Sequence, residues 1–565
     1  MPKKNGLADI KQEIEKWELA NAAELEADRK KNIRCADSDI PIKAVYTPLD
    51  LEEKNFDYVK DVGMPGAFPF TRGITPTMYR NKVWNFSQVS GHATPEESNE
   101  LWKGMIAGGG NRIALQLDLP SQMGLDPDHP MAEGEVGRVG VSFSSLRDWE
   151  IGFSGIDVGK IQIYTIANAL APVEIASHIA LAEQQGVPLE NLMGCCQNDI
   201  LKEFSVRGNF IFPPAPSMRL LIDTICYCSE HFPKYDPISV SECHFVHRGA
   251  TLVHSSALGL ADFFTYFQHV VDRGVDVDIV APHVTMIAGC EHVNFFQEIA
   301  RHRAMRRIFA KVMKDRFKAK KPESMRLRVH GGNGGISLHK EQYLNNIARD
   351  ALATLAAALS GFTSVDLRAY DEQFGIPTQE AILTSIHAQQ VVAYETGIGD
   401  TVDPLAGSYY IEWLTSEFEE RINKELEAID QRGGVIRCIE EGYIQRLLAE
   451  DGYKWYKALE SGEMVRVGFN RFQSSEESKP LKIYRADLKT EGQRVEAVRQ
   501  LRKKRDQRKV QKALEDVTAL AREESKPENN MMVPIIEAVK AYCTVGEIAD
   551  ALKKAWGEFS ESRVF

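Results

Sequence analysis

Three short stretches of the chain concentrate side chains that can do chemistry. The first, QNDILKEFSVRGNF (197–210), carries Gln197, Asn198, Asp199 and Arg207. Arg207 is a fixed cation whose planar fork matches a carboxylate, so an anionic acyl group is its natural ligand and a salt bridge to a neighbouring helix its ordinary structural role. The second, SECHFVHRGAT (241–251), gathers Glu242, Cys243, His244 and His247. Such a set can ligate a metal, but no other ligands stand at recognisable spacing and no metal is expected. The role that suits His244 is a hydrogen bond to a carbonyl oxygen on which charge or spin builds during reaction. The third, HGGNGG (330–335), has the spacing of neither a dinucleotide fingerprint nor a P-loop. It reads as a close-approach loop that lets backbone meet a large planar group.

These stretches need elements to hold them. Eight β-rich runs recur along the chain: IALQLDL (113–119), VGVSF (139–143), IQIYTIA (161–167), LMGCCQ (192–197), ISVSECHF (238–245), VDIVAPHV (277–284), MRLRVHG (325–331) and TSVDLRA (363–369). Most are separated by segments of helical period, which predicts an α/β fold, a TIM (β/α)8 barrel, in which the chemistry-bearing stretches follow strands four, five and seven at the C-terminal face. Gln116, Gln162, Thr165, Cys195, Ser239 and Ser241 are unusual in such strands. They line a polar bore or face helices, and alternation alone does not choose.

The sequence divides into a helical arm for subunit contact (1–60) with Ile10, Ile14 and Trp17 at helical spacing, the barrel (61–475), and a C-terminal helical extension (476–565). A capped helix start stands at Thr94-Pro95-Glu96-Glu97. The basic cluster LRKKRDQRK (501–509) reads as a solvated helix face, with a docking or anion surface as the lesser reading.

A net charge of −12 argues against a nucleic-acid partner. The N-terminus lacks an apolar core segment and the longest apolar stretch (351–359) is too short for a bilayer, so no membrane association and a cytoplasmic location are expected. Nine cysteines without framework spacing suit reduced thiols.

Seven landmarks in order, RGITPTMYR (72–80), TPEESN (94–99), LDLPSQMGLDPDHP (117–130), QNDILKEF (197–204), PPAPSMR (213–219), CHFVHRGAT (243–251) and DPLAGSYYIE (403–412), make the chain resemble the large, substrate-binding subunit of the methylmalonyl-CoA mutase family over nearly its whole length. The resemblance implies a barrel that threads CoA along its axis. It also implies adenosylcobalamin at the mouth and a radical 1,2-rearrangement of an acyl-CoA carbon skeleton. By position, His244 matches the histidine that hydrogen-bonds the thioester carbonyl, Gln197 a polar active-site contact, and Arg207 the arginine that grips a substrate carboxylate. Further substrate contacts fall on Thr75, Met78, Lys82, Asn85, Ser87, Val89, Cys195, Cys243, His283, Thr285 and His330. Cobalamin contacts fall on Leu117, Val139, Arg207, His244, His247, Gly335, Glu372 and Gly375.

The chain departs from the family pattern chiefly in the acyl pocket, where Thr75, Val89 and Cys243 stand for tyrosines and Cys195 for a threonine; His247 stands for a glutamate, and the CoA-holding positions Ala114, Tyr164 and Ile166 are altered too. A retained Arg207 beside an enlarged pocket points to a bulky-substituted dicarboxylic acyl-CoA, an aryl- or alkylsuccinyl-CoA (2-aminophenylsuccinyl-CoA type) converted to the substituted methylmalonyl-CoA. SQMG (121–124) points instead to 2-hydroxyisobutyryl-CoA or isobutyryl-CoA mutases. A non-catalytic stabilising paralogue is the alternative of another class, and Gln197, Arg207 and His244 argue against it. A metal-dependent barrel hydrolase built on His244 and His247 lacks the further ligands it would need. The cobalamin motif DxHxxG occurs nowhere in the 565 residues. The resemblance therefore implies a separate small cobalamin-binding subunit that carries the axial histidine, in a heterotetramer of two large and two small subunits.

Overall fold

The computed structural model of the protein describes residues 4–31, 38–474, 481, 483–487 and 489–560. Nine parallel strand segments form one sheet: β1 (Asn85–Ser90), β2 (Arg112–Gln116), β3 (Gln162–Ile166), β4 (Gly194–Cys196), β5 (Tyr235–Asp236), β6 (Ile238–Ser241), β7 (Val284–Gly289), β8 (Arg328–Gly332) and β9 (Ser364–Leu367). Their order is β5-β4-β3-β2-β1-β9-β8-β7-β6. The segments at the two ends of that order are one stave of chain interrupted at Pro237, which has no N–H to give the ladder. The ring closes where the Ser239 N–H donates to the Gln197 carbonyl at 3.3 Å. Eight staves, wrapped by crossover helices such as Ala171–Gln184, Leu252–Asp272 and Phe295–Asp315, make the expected TIM barrel.

The strands alternate with period two. Ile113, Leu115, Ile163, Val240, Met286, Ala288, Val329, Val365 and Leu367 face the helices and are fully buried. Residues of the other parity face the axis, and they include Asn85, Ser87, Arg112, Gln162, Tyr164, Cys195, Ser239, His330 and Asp366. The question left open by the sequence is thereby resolved: Cys195 approaches Thr285 at 3.6 Å and Ser239 approaches His330 at 2.7 Å across the bore. Thr165 is of the other parity, paired in register with Leu115 in the apolar wall.

Four strand expectations are corrected. NFSQVS (85–90) is β1, and it went unread because the bore-facing Asn85 and Ser87 hide its alternation. VGVSF (139–143) makes only the bridge Leu117–Val141 over the end of β2, where a Cβ on Gly140 would lie 2.5 Å from the Leu117 carbonyl. VDIVAPHV is a helical turn (Val277–Val280), capped by Asp276, and a 3-10 turn (Ala281–His283) holding Pro282; the strand begins at Val284. ISVSECHF is strand only to Ser241, then helix (Cys243–His247).

Thr94 caps the helix Pro95–Ala107 as expected. The C-terminal helices Thr490–Lys504, Gln507–Arg522, Met532–Lys540 and Val545–Trp556 fold back on the barrel. Arg494 pairs with Asp148 at 2.5 Å, and Arg502 pairs with Asp126 and Asp128 at 2.6 Å each. The basic cluster is thus divided: Arg502 and Arg505 clamp the chain to itself, while Lys503, Lys504, Arg508 and Lys509 are exposed. Most of SSEESKP, at 475–480, lies outside the described residues, as does Cys35. The other eight cysteines are free thiols. In the arm, helices Lys4–Ala20 and Ala22–Lys30 leave Trp17 42 % exposed. Among the described residues no helix is long and apolar enough to cross a membrane.

Candidate active site at the barrel mouth

At the C-terminal end of β4 the chain turns into a helical turn, Ile200–Lys202, and a π-helical turn, Glu203–Arg207, ended by Gly208 at φ 87°. Asp199 anchors this start: its carboxylate accepts from Ser241 N–H at 2.7 Å, Tyr266 OH at 2.5 Å and Lys202 N–H at 3.3 Å. Asn198 donates to the Pro237 carbonyl at 3.2 Å. Both are therefore struts between staves, whereas Gln197, Arg207 and Asn209, which donates to Gln122 Oε1 at 3.0 Å, lie at the mouth.

Gln197 is fixed in orientation. Its Oε1 accepts from Asn168 Nδ2 and Lys202 Nζ at 3.2 Å each and from Arg207 Nη1 at 3.5 Å. Its Nε2 is left to donate into the bore, where it meets Tyr164 OH at 3.3 Å. Lys202 is fully buried and also pairs with Glu203. Burial pushes its pKa down, and the adjoining Glu203 carboxylate opposes that shift. Arg207 Nη2 donates to Gln122 Oε1 at 3.1 Å, and Glu203 lies 3.8 Å from Nη1. Its charge thus faces two amide oxygens and one distant, shared carboxylate.

His244 and His247 sit one turn apart on the helix after β6, ring centroids 5.6 Å apart. Burial, then the cations Lys202 and Arg207, hold the His244 pKa well below the ordinary imidazole range, so it is neutral. Burial, with Arg368 and Arg207 adding to it, lowers His247 to about 3. Glu242 does not join them: it turns outward to Arg301 at 2.8 Å and the Gly289 N–H at 3.0 Å. The metal-like set of the sequence is not assembled in space.

The remaining expected substrate contacts separate along the axis. Thr75, Met78 and Lys82 lie at the N-terminal end of the barrel, where Thr75 Oγ1 accepts from Met78 N–H at 3.1 Å and neighbouring Tyr79 bonds the Phe362 carbonyl ahead of β9 at 2.7 Å. His283 is in the turn before β7, and Asn85 bonds Gln162 at 3.3 Å. Ser87, Thr285 and His330 are within the bore. Toward the mouth, Val89, Ala114, Tyr164, Ile166, Cys195, Cys243 and Ile287 form an apolar cluster. A ligand touching both ends would have to extend over about six residues of strand, about 20 Å.

The rim has the features a broad planar cofactor would use. His247 Nε2 is buried without a hydrogen-bond partner. A Cβ on Gly334 would lie 1.6 Å from that nitrogen, so only glycine admits the ring there. Gly335, at φ 86°, has its carbonyl tied to Gln373 Nε2 at 2.6 Å. Glu372 lies 3.7 Å from Arg368, and Gly375 and Val139 are exposed. These residues suit a corrin edge with amide and apolar groups. Leu117 has its side chain sealed in the core, and its carbonyl accepts from Gln122 Nε2 at 2.7 Å.

Lys202, Asn168, Gln122, Arg112 and Asp366 were not singled out from the sequence as site residues. Only SQMG gave a signal, for Gln122; a buried lysine is too uncommon to be expected from LKEF alone.

A family model described as methylmalonyl-CoA mutase matches residues 35–558. The chain is 40% identical over 527 residues to the 2-hydroxyisobutanoyl-CoA mutase large subunit of Aquincola tertiaricarbonis, covering 93% of this chain and 92% of that protein. It is 34% identical over 549 residues to the methylmalonyl-CoA mutase of Rhizobium meliloti (97% and 76% covered) and 35% identical over 523 residues to the human mitochondrial methylmalonyl-CoA mutase (92% and 68%). With the barrel and the mouth constellation of Gln197, Arg207 and His244, these matches show that the chain belongs to the methylmalonyl-CoA mutase family, the coenzyme B12-dependent isomerases that rearrange acyl-CoA thioesters.

Proposed function

We propose that this chain is the catalytic large subunit of an acyl-CoA mutase acting on a bulky-substituted dicarboxylic acyl-CoA, an aryl- or alkylsuccinyl-CoA rearranged to the corresponding substituted methylmalonyl-CoA. The observation that carries this reading is Arg207, held at the mouth by the amide oxygens of Gln122 and Gln197 with no carboxylate among the described residues closer than Glu203 at 3.8 Å. A free substrate carboxylate would complete it. Beside it, the Val89–Ala114–Ile287 cluster offers apolar walls to a substituent. Neutral His244 donates toward the thioester carbonyl, and Gln197 Nε2 supplies a second fixed donor. Adenosylcobalamin, held at the rim by His247, Gly335, Glu372 and Gly375 together with a small subunit carrying DxHxxG, would supply the radical chemistry. The chain's own residues position the acyl group and keep water from it.

A second reading, 2-hydroxyisobutyryl-CoA mutase, is favoured by Gln122 of SQMG in contact with Arg207 and by the 40% identity to the Aquincola subunit. The two are separated by reconstituting the chain with a DxHxxG small subunit and adenosylcobalamin and comparing phenylsuccinyl-CoA, methylmalonyl-CoA and 2-hydroxyisobutyryl-CoA. The highest kcat/KM is expected for phenylsuccinyl-CoA; preference for the uncharged acyl group overturns the substrate assignment. An assembled complex that binds cobalamin and turns over none of them identifies a stabilising paralogue.

A further inference from the structure

The bore is polar, yet it is not an open channel. Around Tyr164 a group of axis-facing residues is buried: Tyr164, Ala114, Ser87 and Ser239 at 0 %, Cys195 at 1 %, Arg112 at 2 %, and His330 and Asp366 at 3 % exposure. A passage wide enough for a pantetheine chain would leave far more exposed surface on its lining, so the bore is closed here to such a chain. Above it Val89 and Gln116 are half-exposed toward the mouth, and below it Asn85, Gln162 and Arg328 are half-exposed toward the N-terminal end. Two accessible compartments are thus separated by one filled layer.

We propose that Tyr164, braced by Arg112 and His330, is a septum across the bore that must swing aside before the pantetheine arm of an acyl-CoA can pass. This rests on the reading that CoA runs along the barrel axis. The bracing is specific. Arg112 pairs with Asp366 at 2.6 Å and lays its guanidinium 4.5 Å over the Tyr164 ring. His330 meets that ring edge-on at 4.8 Å and is itself held by Ser239 at 2.7 Å. The Arg112–Asp366 pair is the fixed part, because separating it would strand two buried charges. Tyr164 is the movable part. Among the described residues its only side-chain hydrogen bond is the 3.3 Å contact from Gln197 Nε2, it turns on two torsions, and small residues, Ala114 and Cys195, adjoin it.

That single bond couples admission to chemistry. With Oε1 held by Lys202 and Asn168, Gln197 Nε2 keeps pointing into the bore when Tyr164 leaves, and the arriving acyl group takes over the vacated donor.

The test uses the full-length chain and butyryl-CoA bearing a fluorescent ethenoadenine, mixed by stopped flow. Wild type is expected to associate at a rate that saturates with ligand concentration, the mark of a preceding opening step. Tyr164→Ser removes the ring and should raise the association rate at least tenfold and make it linear in concentration. Tyr164→Phe keeps the ring and should remain gated. Tyr164→Leu, which preserves an apolar side chain, gives the same comparison if the serine variant does not fold, with acceleration between the two. Equal kinetics in wild type and both shortened variants would refute the septum while leaving CoA binding intact. Failure of every variant and of wild type to bind the probe at millimolar concentration would instead remove the acyl-CoA reading on which the septum stands.

Discussion

A neutral histidine donates to a carbonyl only with its proton on the nitrogen that faces it, and the surroundings of His244 keep the imidazole neutral. Its folded pKa lies well below the ordinary value near 6.5, through burial and then Lys202, Arg207, His247 and Arg368. The unfolded chain takes up the proton first as pH falls, so the stability tied to this neutral imidazole is complete above about pH 6.5 and is lost below it. Activity carries the same signature. We expect kcat/KM of the reconstituted mutase to show no imidazole break between about pH 5.5 and 8, and His244→Ala to lower kcat by about 10²- to 10³-fold. A pH–rate profile of wild type and variant checks both; an inflection near 6.5 that disappears in the variant would refute the neutral assignment. Gln197, Arg207 and His244 were legible in sequence because their types are chemically rare at strand ends and sit in recognisable family landmarks. Lys202, which fixes the Gln197 amide, was not legible, since nothing in ILKEF marks this lysine as the buried one. Arg112 fell one residue outside the run read as strand, and its role depends on Asp366, about 250 residues away.

At the scale of elements, the barrel emerged from eight runs although two of the readings offset each other: β1 was passed over and VGVSF was counted in its place. The cause is physical. Outward residues such as Ile113 and Leu115 advertise a strand, whereas a stave that sets Asn85 and Ser87 on a polar bore resembles a loop until its neighbours are known. The Gly-rich loop after β8, expected to bring backbone close to a large planar group, approaches the ring of His247 closely at Gly334. Gly334→Ala would place a methyl 1.6 Å from His247 Nε2, so either the ring rotates or the loop lifts. We expect cobalamin affinity of the assembled complex to fall about tenfold, roughly 1.4 kcal/mol, as followed by absorbance titration. Adding His247→Ala removes the collision, and the double variant should bind more tightly than the two single losses combined would allow. Strict additivity would mean that this contact does not set the rim.

For the whole molecule, the question is why a barrel with its mouth at one end retains about 70 further residues of helix. The ion pairs answer it. Asp126 lies in the loop just beyond the mouth residue Gln122 and is almost fully buried, and it accepts from Arg502 Nη2 and Thr544 Oγ1 at 2.6 Å each and from Gly546 N–H at 3.1 Å. One carboxylate thus joins the extension's first and last helices to the loop that follows the amide facing Arg207. Gly546 must be glycine there, since a Cβ would sit 2.7 Å from that carboxylate. Asp126→Ala leaves the Gly546 N–H and Thr544 hydroxyl without their acceptor and costs on the order of 3 kcal/mol. The loss should be local to the clamp. Amides of the helix Val545–Trp556 are expected to exchange with solvent deuterium faster in the variant, while those of β2, β3 and β7 stay protected. Because Gln122 ends the helical turn that leads into this loop, KM for the acyl-CoA should rise several-fold with kcat changed less, as suits a loosened hold on Arg207 rather than a lost donor. If exchange quickens in the extension and KM does not move, the extension supports the fold alone and the mouth is positioned without it.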